Sequence, residues 1–173
     1  MPFHRKQPRL PAAYYTGPHT YFVTICCDLR QPYLANSQTS RAVLETLLAS
    51  ATQHSFLLHA YCLMPDHLHL LAQGAKTTSD LREFLRNFKL RTAHDFRQST
   101  GRRLWEMSYY EHILRSPESL EPIACYIWSN PVRKHLCPSP WAFPFSGSQT
   151  IPWPPSSVPL PNWVPPWKQK RPV

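Results

Sequence analysis

Apolar and polar positions along the chain switch between a two-residue and a 3.6-residue period. Tyr21-Phe-Val-Thr-Ile-Cys-Cys27 is β-branched and aromatic and predicts a strand. From Arg41 to Gln53, Val43, Leu44, Leu47 and Leu48 recur at helical spacing and predict an amphipathic helix. Phe56 to Met64 predicts a second strand, Pro65-Asp66 a turn, and His67 to Gln73 a third strand paired with the second as a hairpin. Asp80 to Gln98 predicts a long helix. Asp80 and Glu83 stand in the capping-box relation, Leu81, Phe84, Leu85, Phe88 and Thr92 form its buried stripe, and Gly101 suits its exit. Tyr109 to Leu114 predicts a fourth strand. A last helix is expected to begin near Ser116 to Ser119 and to end before Pro131, with Pro122 in its first turn, where a missing N–H costs little. The order β-α-β-β-α-β-α predicts an α+β fold of ferredoxin-like type, an antiparallel sheet with helices packed on one face.

Composition adds a boundary. Of the 20 prolines, 11 lie from Pro138 onward, together with four of the six tryptophans. Such a stretch forms neither helix nor central strand, so an extended Pro-rich C-terminal tail with aromatic anchors is expected. The chain is divided into a basic N-terminal arm at 1–17, a domain at 18–146 and a Pro/Trp-rich tail at 147–173. The five cysteines are odd in number and include no Cys-x-x-Cys, which excludes a zinc ribbon and a disulfide framework and fits reduced thiols in a cytoplasmic protein. No apolar run is long enough to span a bilayer, so no membrane partner is expected. The formal net charge of +9 favours a polyanionic partner, nucleic acid before membrane.

Candidate chemistry centres on His67-Leu68-His69. On a strand, residues i and i+2 share a face, so the two imidazoles can chelate one metal ion while Leu68 enters the core. Alone the signal is weak, because two network histidines on a strand would read the same way. In the last helix Tyr126 and Asn130 are four apart and share a face, with Tyr126 at the edge of the stripe formed by Leu120, Ile123, Ala124 and Ile127. Asn130 offers an amide oxygen, although Pro131 after it equally suits a capping role. Arg82, Arg86, Lys89 and Arg97 line a second stripe of the long helix. Between Lys76 and Arg103 there are eight Lys+Arg against three Asp+Glu, and Arg102 and Arg103 extend the basic surface. Such a surface suits the phosphate backbone, and Trp105 is a candidate for stacking unpaired bases. A solvated charged helix face with core aromatics fits the same residues.

Several segments together resemble a known family. Tyr61-Cys-Leu-Met-Pro-Asp-His-Leu-His-Leu-Leu71, Tyr109-Tyr-Glu-His-Ile-Leu-Arg115 and Tyr126-Ile-Trp-Ser-Asn-Pro-Val-Arg133 resemble, in the right order, motifs of the HUH single-tyrosine transposases. The similarity is strongest to the REP-associated branch and covers about 20–146. The resemblance implies that His67, His69 and Asn130 hold a divalent metal ion, Mg or Mn. It implies that Tyr126 is the nucleophile, cutting and rejoining single-stranded or hairpin DNA through a 5′-phosphotyrosine. Glu111 and His112 fall in a motif near the site and are possible site support. No small-molecule cofactor is implied, and the assembly is a monomer or homodimer. Two rivals stand beside this reading: a water-using metal-dependent nuclease, with Asp66, Glu111 or His112 as base, and a catalytically idle nucleic-acid-binding module.

Overall fold

The computed structural model describes residues 10–115, 119–153 and 163–169. Arg5, Lys6 and Arg9 of the basic arm, the expected helix start at 116–118, and 154–162 and 170–173 of the Pro-rich tail lie outside the described residues.

Five strands form one antiparallel sheet in the order β4-β1-β3-β2-β5. They are β1 (Thr20–Cys26), β2 (Phe56–Met64), β3 (His67–Gly74), β4 (Tyr110–Ile113) and β5 (Ser146–Gly147). The helices are α1 (Ser37–Gln53), α2 (Leu81–Thr100), α3 (Leu120–Trp128) and the single turn α4 (Asn130–Arg133). The ferredoxin-like expectation holds. The helix α1 starts four residues before Arg41 because Asn36 caps it, its side chain accepting from Thr39 N at 3.0 Å. Asp80 caps α2 by accepting from Arg82 N and Glu83 N, and Gly101 ends it at φ 70°.

The sheet is covered on both faces. Val23, Ile25, Leu68, Leu70, Leu47, Phe84 and Phe88 belong to one buried cluster, under α1 and α2. Phe22, Ala60, Cys62, Leu71, Ile123, Ile127 and Trp128 belong to a second, under α3. The expectation of helices on one face therefore applies to α1 and α2, and α3 covers the other side. Its position follows from its own stripe, with Ile123, Ala124, Ile127 and Trp128 almost wholly buried. A bulge at His59 shifts the β2–β3 register between Leu58 and Ala60. Leu58 faces α1 and α2, and after the bulge Ala60, Cys62 and Met64 face α3.

Described residues on either side of 18–146 pack on this body. Tyr15 is buried, and Thr16 bridges to Asp80. The boundary expected at 146/147 falls inside β5, which pairs Ser146 with Cys62 and Gly147 with Tyr61. Gly147 is needed there, because a Cβ would overlap the Tyr61 hydroxyl. Trp153 packs on Trp128 at 4.9 Å between ring centroids.

Candidate active site

Sheet register gathers the site. In an antiparallel pair, residues directly opposite share a face. Opposite His67 stand Cys26 on β1 and Met64 on β2, and opposite His69 stand Thr24 and Cys62. Phe22 lies opposite both Leu71 and His112, and Thr24 opposite Tyr110. His67, His69, Phe22, Thr24, Tyr110 and His112 thus occupy one face, the one α3 covers.

The two imidazoles are oriented from behind. His67 Nδ1 lies 2.6 Å from Asp66 Oδ1, and Arg30 Nη1 lies 3.5 Å from the other Asp66 oxygen. His69 Nδ1 lies 2.9 Å from Thr24 Oγ1. Both Nε2 atoms then face each other at 3.0 Å. With protons on both Nδ1 atoms, each outer contact is satisfied and two Nε2 lone pairs converge, an arrangement that repels itself until a cation lies against both. Burial holds both histidines below their ordinary range; for His67 the Asp66 contact opposes this, and for His69 the charge of His67 adds to it. Neutral rings are the form that ligates a metal, so the donors present fit a divalent cation.

Tyr126 comes to the same place from α3. The Phe22 ring lies 5.5 Å from His69 and 6.3 Å from Tyr126, so one aromatic residue touches both. The Tyr126 hydroxyl makes no hydrogen bond among the described residues. Burial raises its pKa, and the Arg133 guanidinium, 4.3 Å above its ring, opposes the rise. Asn130 sits where α3 breaks. Pro131 has no N–H to give the Ile127 carbonyl, and Asn130 Nδ2 donates there at 3.2 Å and to the Tyr126 carbonyl at 2.9 Å. That amide nitrogen is occupied by the helix end, as the capping reading expects, and Oδ1 is left for another partner.

Other candidates are separated by the fold. Glu111 pairs with Val23, so it points to the α1/α2 face, where Tyr15 Oη donates to it. It cannot support the histidine site. His112 does face the site and stacks on Trp167 at 3.8 Å. Trp105 is 3% exposed, with Nε1 donating to Thr92 Oγ1 at 2.8 Å, so the expected base-stacking surface is instead a core residue. Lys89 Nζ donates to the Glu106 and Met107 carbonyls, at 2.8 and 2.9 Å, and helps hold that segment. Arg82, Arg86 and Arg97 are exposed, but α2 lies across the sheet from His67 and Tyr126, and Arg82 pairs with Asp80. Arg102 and Arg103 are exposed after the α2 exit, and Arg103 Nε lies 3.8 Å from Asp28 in the loop that carries Arg30.

Sequence reasoning missed four groups here. Thr24 and Phe22 needed the β1–β3 register. Arg133 lay in a quoted motif without a role. Lys168, in a 3-10 turn at Pro166–Lys168, has its Nζ 4.6 Å over the Phe22 ring and 5.5 Å over Tyr126. Burial is the main cause that brings the Lys168 pKa down to about 8, with the positive charge of Arg133 adding to it. Among the described residues, no helix is long and apolar enough to cross a membrane.

Comparison with known proteins agrees with this fold. A curated protein of Haemophilus influenzae, uncharacterized, is 24% identical over 160 residues, covering 75% of this chain and 89% of its own. The REP-associated tyrosine transposase of Escherichia coli K12 is 22% identical over 134 residues, covering 77% of this chain and 78% of its own. A solved structure of a REP-associated tyrosine transposase bound to a REP hairpin shares the fold, with a TM-score of 0.64 at 22% identity, over 81% of this chain and 82% of that one. The family described as IS200-like transposase matches residues 16–130. With its histidine pair and Tyr126 on one face of a ferredoxin-like sheet, the chain belongs to the IS200-like transposase family.

Proposed function

We propose that this chain cuts and rejoins single-stranded or hairpin DNA by transesterification at Tyr126. The observation that carries the reading is the convergence of the His67 and His69 Nε2 atoms at 3.0 Å beneath the helix that bears Tyr126, with Phe22 in contact with both sides. A hairpin substrate is supported by the fold likeness to the REP-associated transposase solved with a REP hairpin.

In the proposed reaction the Tyr126 oxygen attacks phosphorus in line and forms a new P–O bond. The bond to the 3′-oxygen breaks, and that oxygen leaves as a 3′-hydroxyl after taking a proton. The phenolic proton goes to solvent or a site base. The 5′-phosphotyrosine keeps the bond energy, so a 3′-hydroxyl can attack it, release Tyr126 and join a new end. A divalent cation, Mg or Mn, held by His67, His69 and the Asn130 oxygen would supply charge stabilisation at the phosphate. The chain's own residues do the rest. Asp66 fixes the His67 tautomer, Thr24 Oγ1 holds the His69 ring in orientation at Nδ1, and Arg133 favours the phenolate over the phenol. The water-using alternative has less support. Of its candidate bases, Glu111 faces away, Asp66 is engaged by His67 and Arg30, and His112 lies under Trp167.

Covalent capture tests the reading. Protein with Mn²⁺ and end-labelled hairpin DNA is run on a denaturing gel beside Tyr126→Phe and His67→Ala. Label should migrate with the wild type and be missing from both variants. Cleavage that persists in Tyr126→Phe would instead establish a water-using nuclease.

A further inference from the structure

Two cations reach the Tyr126 ring from separate parts of the chain. Arg133, on α4, places its guanidinium carbon 4.3 Å from the ring centroid and donates from Nη2 to the Tyr126 carbonyl at 2.9 Å. Lys168, from the Pro/Trp-rich segment, places Nζ 5.5 Å from the same centroid, 4.6 Å from Phe22 and 5.9 Å from Tyr110. Neither makes an ion pair among the described residues, and Lys168 Nζ has no hydrogen-bond acceptor there. Among the described residues Arg133 Nη1 is buried with no hydrogen-bond partner, and so is the indole Nε1 of Trp167, the residue before Lys168.

Like charges held over one ring and half removed from water, without a carboxylate between them, are unfavourable, and buried donors without acceptors add to the cost. An anion supplies what the group lacks: negative charge and several acceptor oxygens. The aromatic floor of Phe22, Tyr110 and Tyr126 holds Lys168 in place by cation–π attraction but accepts no hydrogen bond from it. A guanidinium and an ammonium gathered at one ring suit a tetrahedral oxyanion. The anion available to a DNA-cleaving protein at this point is a backbone phosphodiester.

We propose that Arg133 and Lys168 form a phosphodiester-binding pair at Tyr126, holding the non-bridging oxygens of the phosphate that Tyr126 attacks. This inference rests on Tyr126 acting as the nucleophile. It makes the segment at 163–169 part of the substrate site and gives Lys168 a role no motif carried.

The test uses the full chain and inorganic phosphate, without divalent metal, followed by titration calorimetry. Wild type should bind phosphate, and Lys168→Gln and Arg133→Gln should each weaken binding tenfold or more. Lys168→Arg and Arg133→Lys should restore most of it. Because Arg133 also supports the Tyr126 backbone, the Lys168 pair decides should Arg133→Gln unfold. In single-turnover capture of hairpin DNA, Lys168→Gln should be at least tenfold slower than wild type. Equal phosphate binding by wild type and Lys168→Gln, no binding by wild type, or faster capture by Lys168→Gln would each overturn the proposal; the last would make the segment a cover over the site. Phosphate binding that depends on both cations, in a protein that forms no covalent DNA adduct, would support the anion site while removing the transesterification reading.

Discussion

His67 and His69 face each other through their Nε2 atoms at 3.0 Å, each ring held at its other nitrogen, by Asp66 and by Thr24. That support should be measurable without any DNA. Asp66→Asn removes the charge behind His67 and weakens the preference for a proton on Nδ1. Mn²⁺ affinity, followed by electron paramagnetic resonance, should fall about 10–100-fold. Thr24→Val should weaken it less, since it removes a neutral partner. An unchanged Mn²⁺ affinity in Asp66→Asn would show that the histidines do not form the metal site.

Tyr126→Phe separates chemistry from folding. The hydroxyl has no hydrogen bond to lose among the described residues, so urea denaturation should shift by no more than about 0.5 kcal/mol. Covalent capture should vanish. A large loss of stability would mean that the hydroxyl is bonded within the folded chain and is not presented to substrate.

Trp105→Ala should behave oppositely. Its ring packs on Phe88 at 5.9 Å and its Nε1 satisfies Thr92. Truncation should cost about 3–5 kcal/mol in urea denaturation. Arg86→Ala, on an exposed face, should stay within about 0.5 kcal/mol. A stable Trp105→Ala protein with weakened DNA binding would restore the stacking role that the burial argues against.

These contrasts mark what the sequence could disclose. The β2–β3 hairpin, α2 with its Asp80 and Gly101 caps, and the shared face of His67 and His69 were legible because each depends on residues a few positions apart. The face covered by α3 was not. Two apolar faces of one sheet look alike in sequence, and the bulge at His59 reverses the parity within β2. Trp105 sits among Arg102, Arg103 and Glu106 and reads as surface, yet a bridge to Cys27 carries it into the core. Adjacent strand residues point opposite ways, so Glu111 and His112 could never both serve one site. Lys168 was beyond reach, because nothing local tells a proline-rich segment where to dock.

Asn130→Asp tests two roles of one side chain. The carboxylate keeps an oxygen for a cation but loses the donor that Asn130 gives to the Tyr126 and Ile127 carbonyls. Arg133 still serves the first carbonyl, so chiefly Ile127 is orphaned, at about 1 kcal/mol. Melting should fall by about 2–4 °C, while Mn²⁺ affinity is kept or raised. Loss of Mn²⁺ binding with unchanged melting would reverse the assignment.

Docking of the segment around Lys168 should depend on pH in a stated direction. Against Phe22 and Tyr126, burial and the charge of Arg133 bring the lysine down to about 8 from an ordinary value of 10.5. A base whose pKa is lowered in the docked state binds fewer protons there than when released. The cost of the buried charge is therefore fully present below about pH 8 and is relieved as pH rises from there towards 10.5. Protection of the segment from limited proteolysis should be weakest at pH 7 and grow through this window. Lys168→Met should flatten the dependence, because no proton is exchanged on docking. Phosphate at pH 7 should give wild type the protection otherwise seen only at high pH, since an anion between Arg133 and Lys168 stabilises the charged form directly. Protection that falls as pH rises would mean that the ammonium is paired in the docked state, and the anion site would lose its unbalanced charge.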